Sequence, residues 1–287
     1  MKQLDPRAYQ ITVLAALLGV GLTQLRFEVT LVQVAVTFAA ALATQVTGAR
    51  LAGLRDIGLS SALISSLSLC LLLRTSALPF AVVAAVIAIG SKFVVRVRGK
   101  HVFNPTNLAI VLLLTTTTQV WVSPGQWGSP TFFTFFVACL GTVVVTRAAR
   151  ADVTFAYLAA HAGLLFARAF WLGDPLTIPF HRLENGALLL FAFFMISDPK
   201  TTPDSRAGRV IFACLVAVGA YYVQNMLFRT NGPLWALAVF SPLVPFIDRV
   251  LPGPRYTWSQ RRPLPEVSTN ETLDLAPVGA RRGALVH

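Results

Sequence analysis

Charge is scarce in this chain. Asp, Glu, Lys and Arg make up 13% of the 287 residues, against about a quarter in soluble domains. Acids are the scarcer sign, 12 against 24 basic residues. A chain so poor in charge, and 55% hydrophobic, cannot cover a whole surface with water-compatible groups, so it belongs in a bilayer. Net charge of +12 does not indicate nucleic acid, because the basic residues punctuate apolar runs instead of forming a stripe on a polar face. Cysteine is also sparse. Cys70, Cys139 and Cys214 each sit inside an apolar run, with no C-x-x-C spacing for a cluster or a zinc site, and read as small buried hydrophobes. There is no Gly-rich phosphate loop, no H-E-x-x-H and no nucleophile elbow. Any electron transfer would therefore need an organic cofactor.

What the chain has instead is length in apolar runs. About ten occur, near residues 10–25, 30–45, 57–73, 77–95, 104–116, 131–146, 153–172, 186–197, 207–227 and 233–247. Most approach the ~20 residues a helix needs to cross the hydrocarbon. The first follows Lys2 and Arg7 but lacks an A-x-A-like site before Arg26-Phe27-Glu28, so it reads as a retained helix and not a signal peptide. Residues 251–287 are rich in Pro, Arg and polar side chains and read as a disordered tail following a membrane domain of residues 1–250.

The basic residues divide unevenly between the two sides. With the N-terminus inside, that side collects Lys2, Arg7, Arg50, Arg55, Lys92, Arg96, Arg98, Lys100, Arg147, Arg150, Lys200, Arg206, Arg209 and the C-terminal arginines. Only Arg26, Arg74, Arg168, Arg182 and Arg229 fall on the other. By the positive-inside rule this predicts an even number of spans, both termini cytoplasmic, in an inner membrane.

Two polar segments interrupt the pattern, Gly99-Lys100-His101-Val102-Phe103-Asn104-Pro105 and Ile196-Ser197-Asp198-Pro199-Lys200-Thr201-Thr202-Pro203. Each abuts one of the shortest apolar runs, the usual sequence pointer to a binding site in a polytopic protein. Asn104 is suited to cap a helix that begins at Pro105, whose exposed N–H groups, with Arg96, Arg98, Lys100 and His101 upstream, make a donor-rich place for an anionic or carbonyl-bearing ligand. Asp198-Pro199 predicts a turn, and Thr202-Pro203 a capped restart. Two capped turns whose basic residues meet headgroups explain the same residues without a ligand. Both segments fall on the inner side, which favours one shared site of Lys100, His101, Phe103, Asn104, Pro105, Asn107, Phe194, Asp198, Lys200, Thr201 and Thr202.

Other features carry ordinary readings beside functional ones. His161 lies mid-span with Arg168 seven residues on; an intramembrane ionisable residue suggests function, yet His101 and His181 lie near span ends and offer no axial partner for haem at matching depth. Trp121, Trp127, Trp171 and Trp258 read as interfacial anchors. Arg50, Arg55 and Asp56 read as a surface ion pair. Phe132, Phe133, Phe135, Phe136, Phe191 and Phe193 suit lipid or helix packing as well as a flavin ring.

The pairing of Lys100-His101-Val102-Phe103-Asn104-Pro105 with Phe193-Phe194-Met195-Ile196-Ser197-Asp198-Pro199-Lys200-Thr201-Thr202-Pro203 resembles the RnfD/NqrB family of integral membrane subunits of flavin-using, ion-coupled electron-transfer complexes. Val120-Trp121-Val122-Ser123-Pro124-Gly125-Gln126-Trp127-Gly128 resembles the small UnbU-type members, named from enediyne gene clusters. The resemblance runs from about Asp5 to Pro252. It implies an all-α polytopic fold of ten helices in two inverted five-helix halves, similar to urea channels, and a non-covalent flavin, riboflavin or FMN, on the cytoplasmic side. It implies partner subunits in the membrane or cytoplasm, with quinone as a further candidate. Family members also carry a covalent flavin on a Ser-Gly-Ala-Thr-like threonine. No Ser-Gly-Ala-Thr-like sequence occurs between Leu114 and Pro130, so covalent FMN is not expected here. Two functions follow: an electron-transport subunit, or a small-solute or ion transporter on the same scaffold.

Overall fold

Apolar residues that cannot face water form helices here, because in lipid every backbone group has to be satisfied within its own segment. The computed structural model describes residues 5–123 and 131–257, with backbone only for 131–136; Trp127, Trp258 and nearly all of the expected C-terminal tail lie outside the described residues. Asp5 caps the first helix, accepting from the Arg7 amide at 2.9 Å. The helices are α1 (Pro6–Thr23), α2 (Leu31–Leu51), α3 (Leu59–Leu72), α4 (Leu78–Val94), α5 (Pro105–Thr116), α6 (Thr131–Arg147), α7 (Ala151–Leu172), the short α8 (Thr177–Leu183), α9 (Gly186–Leu190), α10 (Arg206–Asn225), α11 (Gly232–Phe240) and α12 (Val244–Val250). A π-helical turn, Phe191–Met195, extends α9, and a 3-10 turn, Ser241–Leu243, joins α11 to α12. Each of the ten apolar stretches in the sequence coincides with a helical segment. Among the described residues, four helical segments are long and apolar enough to cross a membrane: Leu31–Leu51, Ala151–Leu172, Arg206–Asn225 and Gly232–Val250.

Four short strands complete the described chain. The strands β1 (Leu73–Thr75) and β4 (Val120–Val122) pair antiparallel, Arg74 opposite Trp121. Next to the first motif, β2 (Arg96–Val97) and β3 (Lys100–His101) form a hairpin, Arg96 opposite His101. Its two-residue turn places Arg98 at φ 52° and Gly99 at φ 77°. Two successive positive φ values give the mirror-image turn that matches strand twist, which explains a glycine at this position.

Packing follows the small residues. α2 lies along α4, α7 along α10, and α10 against α11. Gly141 shows why: a Cβ there would stand 2.5 Å from the Phe193 ring, so only glycine lets α6 meet the π-turn. The core runs from Leu14 and Leu17 of α1, through Ile89 and Ile110, to Phe191, Phe212 and Val216, each at most 2% exposed. Leu31, Phe170, Val239 and Phe246 instead point outward at 66–74% exposure, as lipid-facing side chains do. Cys70 is buried as expected, whereas Cys139 and Cys214 are exposed, on outward faces of α6 and α10 where the sequence alone does not reveal helix rotation. Asp56, expected to pair with Arg50 or Arg55, accepts the Gly58 amide at 2.9 Å; no ion pair to either arginine occurs among the described residues.

Buried charge sits at helix ends. Arg74, 1% exposed, donates to the carbonyls of Cys70 and Leu73 at 3.0 Å and of Leu71 at 3.2 Å, and its guanidinium lies 4.8 Å from the Phe27 ring centre. A cation over the unpaired carbonyls at the C-terminus of α3 also opposes the negative end of its dipole.

Candidate functional site

The two motifs meet. Asn104 caps α5, accepting the Asn107 amide on Oδ1 at 3.0 Å, which is the cap that the Asn-Pro pair predicts. Its Nδ2 is then free to reach the second motif, donating to the Met195 carbonyl at 3.3 Å and to Asp198 Oδ2 at 3.5 Å. A continued helix would return the amide of residue 199 to Met195, but Pro199 has no N–H. Asn104 supplies a donor in its place, beside the Asp198 amide, which reaches the same carbonyl at 3.3 Å.

The π-turn prepares this meeting. Ile196 donates to the Phe191 carbonyl five residues back, which widens the helix, and the Thr154 hydroxyl on α7 donates to the Ala192 carbonyl at 2.8 Å. Such π insertions are rare and concentrate at functional sites. Beyond it, Asp198 organises a tight turn: Oδ1 accepts the Lys200 amide at 3.0 Å, and its carbonyl accepts the amides of Thr201 and Thr202 at 3.1 Å and the Thr202 hydroxyl at 3.0 Å. Thr202 therefore does not cap the following helix, as the sequence suggested. Ser205 does, accepting the Gly208 amide at 3.1 Å, because both threonines fold back onto Asp198.

Burial raises the Asp198 carboxyl above the usual carboxylate range; the Lys200 amide and the charges of Lys92, Lys200 and Arg150 partly offset it. Lys92, 5% exposed, reaches into this region from α4 and donates to the Ser61 hydroxyl at 3.1 Å. Burial lowers Lys200, with Asp198 opposing, and its ammonium donates to the Tyr256 carbonyl at 3.2 Å. Burial, then the charges of Arg96, Lys92 and Lys200, lower His101 to about 4, so it is neutral at pH 7. Its Nδ1 is buried without a hydrogen-bond partner.

Not all of the sequence-derived residues gather at one point. Asn104, Pro105, Asp198, Lys200, Thr201 and Thr202 form the junction. Lys100 lies beside it, its ammonium held by Asp204 at 2.9 Å and Asp248 at 2.7 Å, while Asp248 also accepts the Asp204 amide at 2.7 Å. This triad clamps the hairpin to the start of α10 and to α12. Asn107 turns away and donates to the Leu234 carbonyl of α11 at 3.1 Å. Phe194 is closed into the core at 4% exposure, and Phe103 is half-buried. A cleft of about 170 Å3 opens beside the junction, walled by Arg98, Lys100, His101, Asp204, Asp248 and Arg255.

The end of the described chain closes over this region. Arg255 donates to the Arg98 carbonyl at 2.6 Å, and the Arg150 guanidinium lies 4.7 Å from the Tyr256 ring centre. Arg209 grips Asp152 through Nε at 2.9 Å and the Asp204 carbonyl at 2.7 Å, tying α10 to α7. Lys92, Asp204, Asp248 and Tyr256 were missed as parts of this neighbourhood. Asp248, an acid between the apolar Ile247 and a basic residue in the last helix, was the available signal.

Helices of membrane-crossing length, outward apolar side chains and polar turns buried at one end define a multi-pass helical membrane protein. Residues 119–256 match the model of the NQR2, RnfD, RnfE family, to which the chain is similar over that stretch. The match includes the second motif; the first lies upstream of it. The RnfD-type subunit of the ion-translocating oxidoreductase complex of Stutzerimonas stutzeri is 35% identical over 99 residues, 34% of this chain and 27% of that protein. The corresponding subunits of Salmonella paratyphi B and Salmonella newport are each 34% identical over 86 residues, 29% of this chain and 24% of theirs. The chain thus aligns with about a quarter of the length of these relatives.

Proposed function

We propose that this chain is an integral membrane subunit of an electron-transport complex that binds a flavin, riboflavin or FMN, non-covalently beside the junction of its two motifs. The observation that carries the reading is the contact of Asn104 with Met195 and Asp198, which joins segments 94 residues apart in a chain related to subunits named for ion-translocating oxidoreduction. The donor set suits the carbonyl edge of a flavin: Arg98, Arg255 and His101 wall one cleft, and half-buried Phe103 follows the hairpin. The cleft volume is below the ~300 Å3 of ordinary ligand pockets, so it takes an edge of the ring and leaves the rest at its mouth. A bound flavin supplies the redox chemistry, and these residues hold and orient it.

We place this end at the cytoplasmic face of an inner membrane, because Arg7, Arg98, Lys100, Arg147, Arg150, Lys200 and Arg209 gather there and the positive-inside rule assigns such an end. Ten crossings in two inverted halves account for the parallel between α5 and α11. Both are short, both open on Asn with Pro in the first turn, and they touch through Asn107 and Leu234. We also read the chain as an UnbU-type member, with other membrane or cytoplasmic subunits, and quinone, as partners. The transport alternative draws on a cavity of about 390 Å3 at the opposite end, whose floor residues Met195 and Leu234 are bonded from behind by Asn104 and Asn107.

Flavin content tests the reading. Purified wild type is expected to retain flavin, and Asp198→Asn and Asn104→Ala to lose most of it while remaining folded. Folded variants with wild-type flavin content would refute the site.

A further inference from the structure

The cavity of about 390 Å3 belongs to the end away from the motifs, since its walls come from the last residues of α3 and α10, the first of α9 and α11, and the middle of α7. Its interior is apolar, built from Leu188, Phe191, Met195 and Leu234, and its rim carries Arg182 and Arg229. Among the described residues that line it there is no Asp or Glu. A cation entering it would leave water without meeting a carboxylate, which costs several kcal/mol per ion. An anion would meet two guanidiniums.

Two further observations point the same way. His161 lines the cavity at 3% exposure, and its Nδ1 has no hydrogen-bond partner, although buried polar groups nearly always have one. Its ring is stacked on Tyr157 at 5.6 Å and cannot easily turn away to find one. The nine-residue α11 also begins at the cavity, and its N-cap Asn231, held at φ 61°, makes no side-chain cap. The positive end of that helix dipole therefore lies beside the two arginines.

From these features we propose that the cavity is a binding site for an organic anion with an apolar, planar body, its acidic group at Arg229 and Arg182 and its body against Phe191 and Met195, with His161 bonding a polar atom of the body. By the same charge logic the cavity is not an entrance for metal cations. The occupant with that body is a free aromatic acid; an anionic lipid of the adjoining leaflet offers the same acidic group without it.

The test uses the full chain in nanodiscs of zwitterionic lipid, with empty discs as background, and measures by equilibrium dialysis the binding of 1-naphthalenesulfonate, its neutral methanol analogue and 1-naphthylmethylammonium. Saturable 1:1 binding of the sulfonate is expected, at least ten-fold tighter than the neutral probe, with none of the cation. Arg229→Gln and His161→Phe should each weaken it about ten-fold, and Ala187→Trp, which fills the cavity, should abolish it. Loss of sulfonate binding when phosphatidylglycerol, whose net charge the zwitterionic lipid lacks, is added would identify an anionic lipid as the anion held and overturn the planar body; persistence would identify a free aromatic acid. Equal binding of the cation, no saturable binding, or unchanged binding in all three folded variants would overturn the proposal. Flavin content of the same samples separates a failure here from one at the motif junction.

Discussion

Replacing Asn104 by Asp changes one atom type at the junction of the two motifs and tests whether they touch. The cap survives, because Asp accepts an N3 amide as well as Asn does. What is lost is the donor. The Met195 carbonyl forfeits a bond of ~1 kcal/mol, and a second carboxylate then faces Asp198 across the 3.5 Å that Nδ2 now spans. Two unit charges at that separation repel by about 5 kcal/mol at an effective dielectric constant of 20, so the pair keeps a shared proton and titrates as a dyad. Asp198 is already raised by burial, and the new neighbour raises the pair further. A carboxyl whose folded pKa is raised contributes most below its unfolded value near 4, and the fold loses stability as pH rises through the folded pKa. Asn104→Asp should therefore cost ~1–2 kcal/mol at pH 5 and several more at pH 8, whereas Asn104→Ala should cost ~1–3 kcal/mol at both. Reversible unfolding in mixed micelles, followed by tryptophan fluorescence at the two pH values, measures this. An Asn104→Asp penalty that is equal at pH 5 and pH 8 would refute the contact.

Removing one member of the Lys100 triad leaves two carboxylates, with side chains 9% and 17% exposed, facing each other; Lys100→Met should cost ~3–5 kcal/mol, and adding Asp248→Asn should recover part of it, as a double-mutant cycle would show. His101, held at about 4 against an ordinary 6.5, contributes stability that is complete above pH 6.5 and is lost as pH falls toward 4, on the order of 3 kcal/mol; His101→Gln should flatten that part of a pH–stability curve. Gly141→Ala should drive its new methyl into the Phe193 ring and cost ~1–3 kcal/mol by overpacking, visible as a lowered unfolding midpoint.

The helices were legible because lipid imposes one rule on every apolar run, that its backbone be satisfied internally, so the ten stretches appear as helical segments within a few residues of their read positions. The cap at Asn104 was legible because Asn-Pro joins two local preferences that agree. Thr202-Pro203 carried a similar local signal and misled, since Asp198 outcompetes the next helix for both threonine hydroxyls. The junction of the motifs was inferred from helix breaks beside short apolar runs and from charge placement, while its chemistry depends on a π-turn that no periodicity announces. Lys100 shows the limit most clearly. Its sequence neighbours suggested an open donor, but its partners are Asp204 and Asp248, the second 148 residues away, and only the packing of α12 brings them together.

The central claim concerns a flavin held without a covalent bond, and one chromatogram addresses it. Purified protein is denatured, separated by reversed phase and read at once by absorbance near the ~450 nm band of oxidised flavin cofactors and by intact mass. About one free riboflavin or FMN per chain, eluting apart from a polypeptide of unmodified mass, is the predicted result. A chain with no flavin, or one whose mass carries the flavin through denaturation, would contradict it.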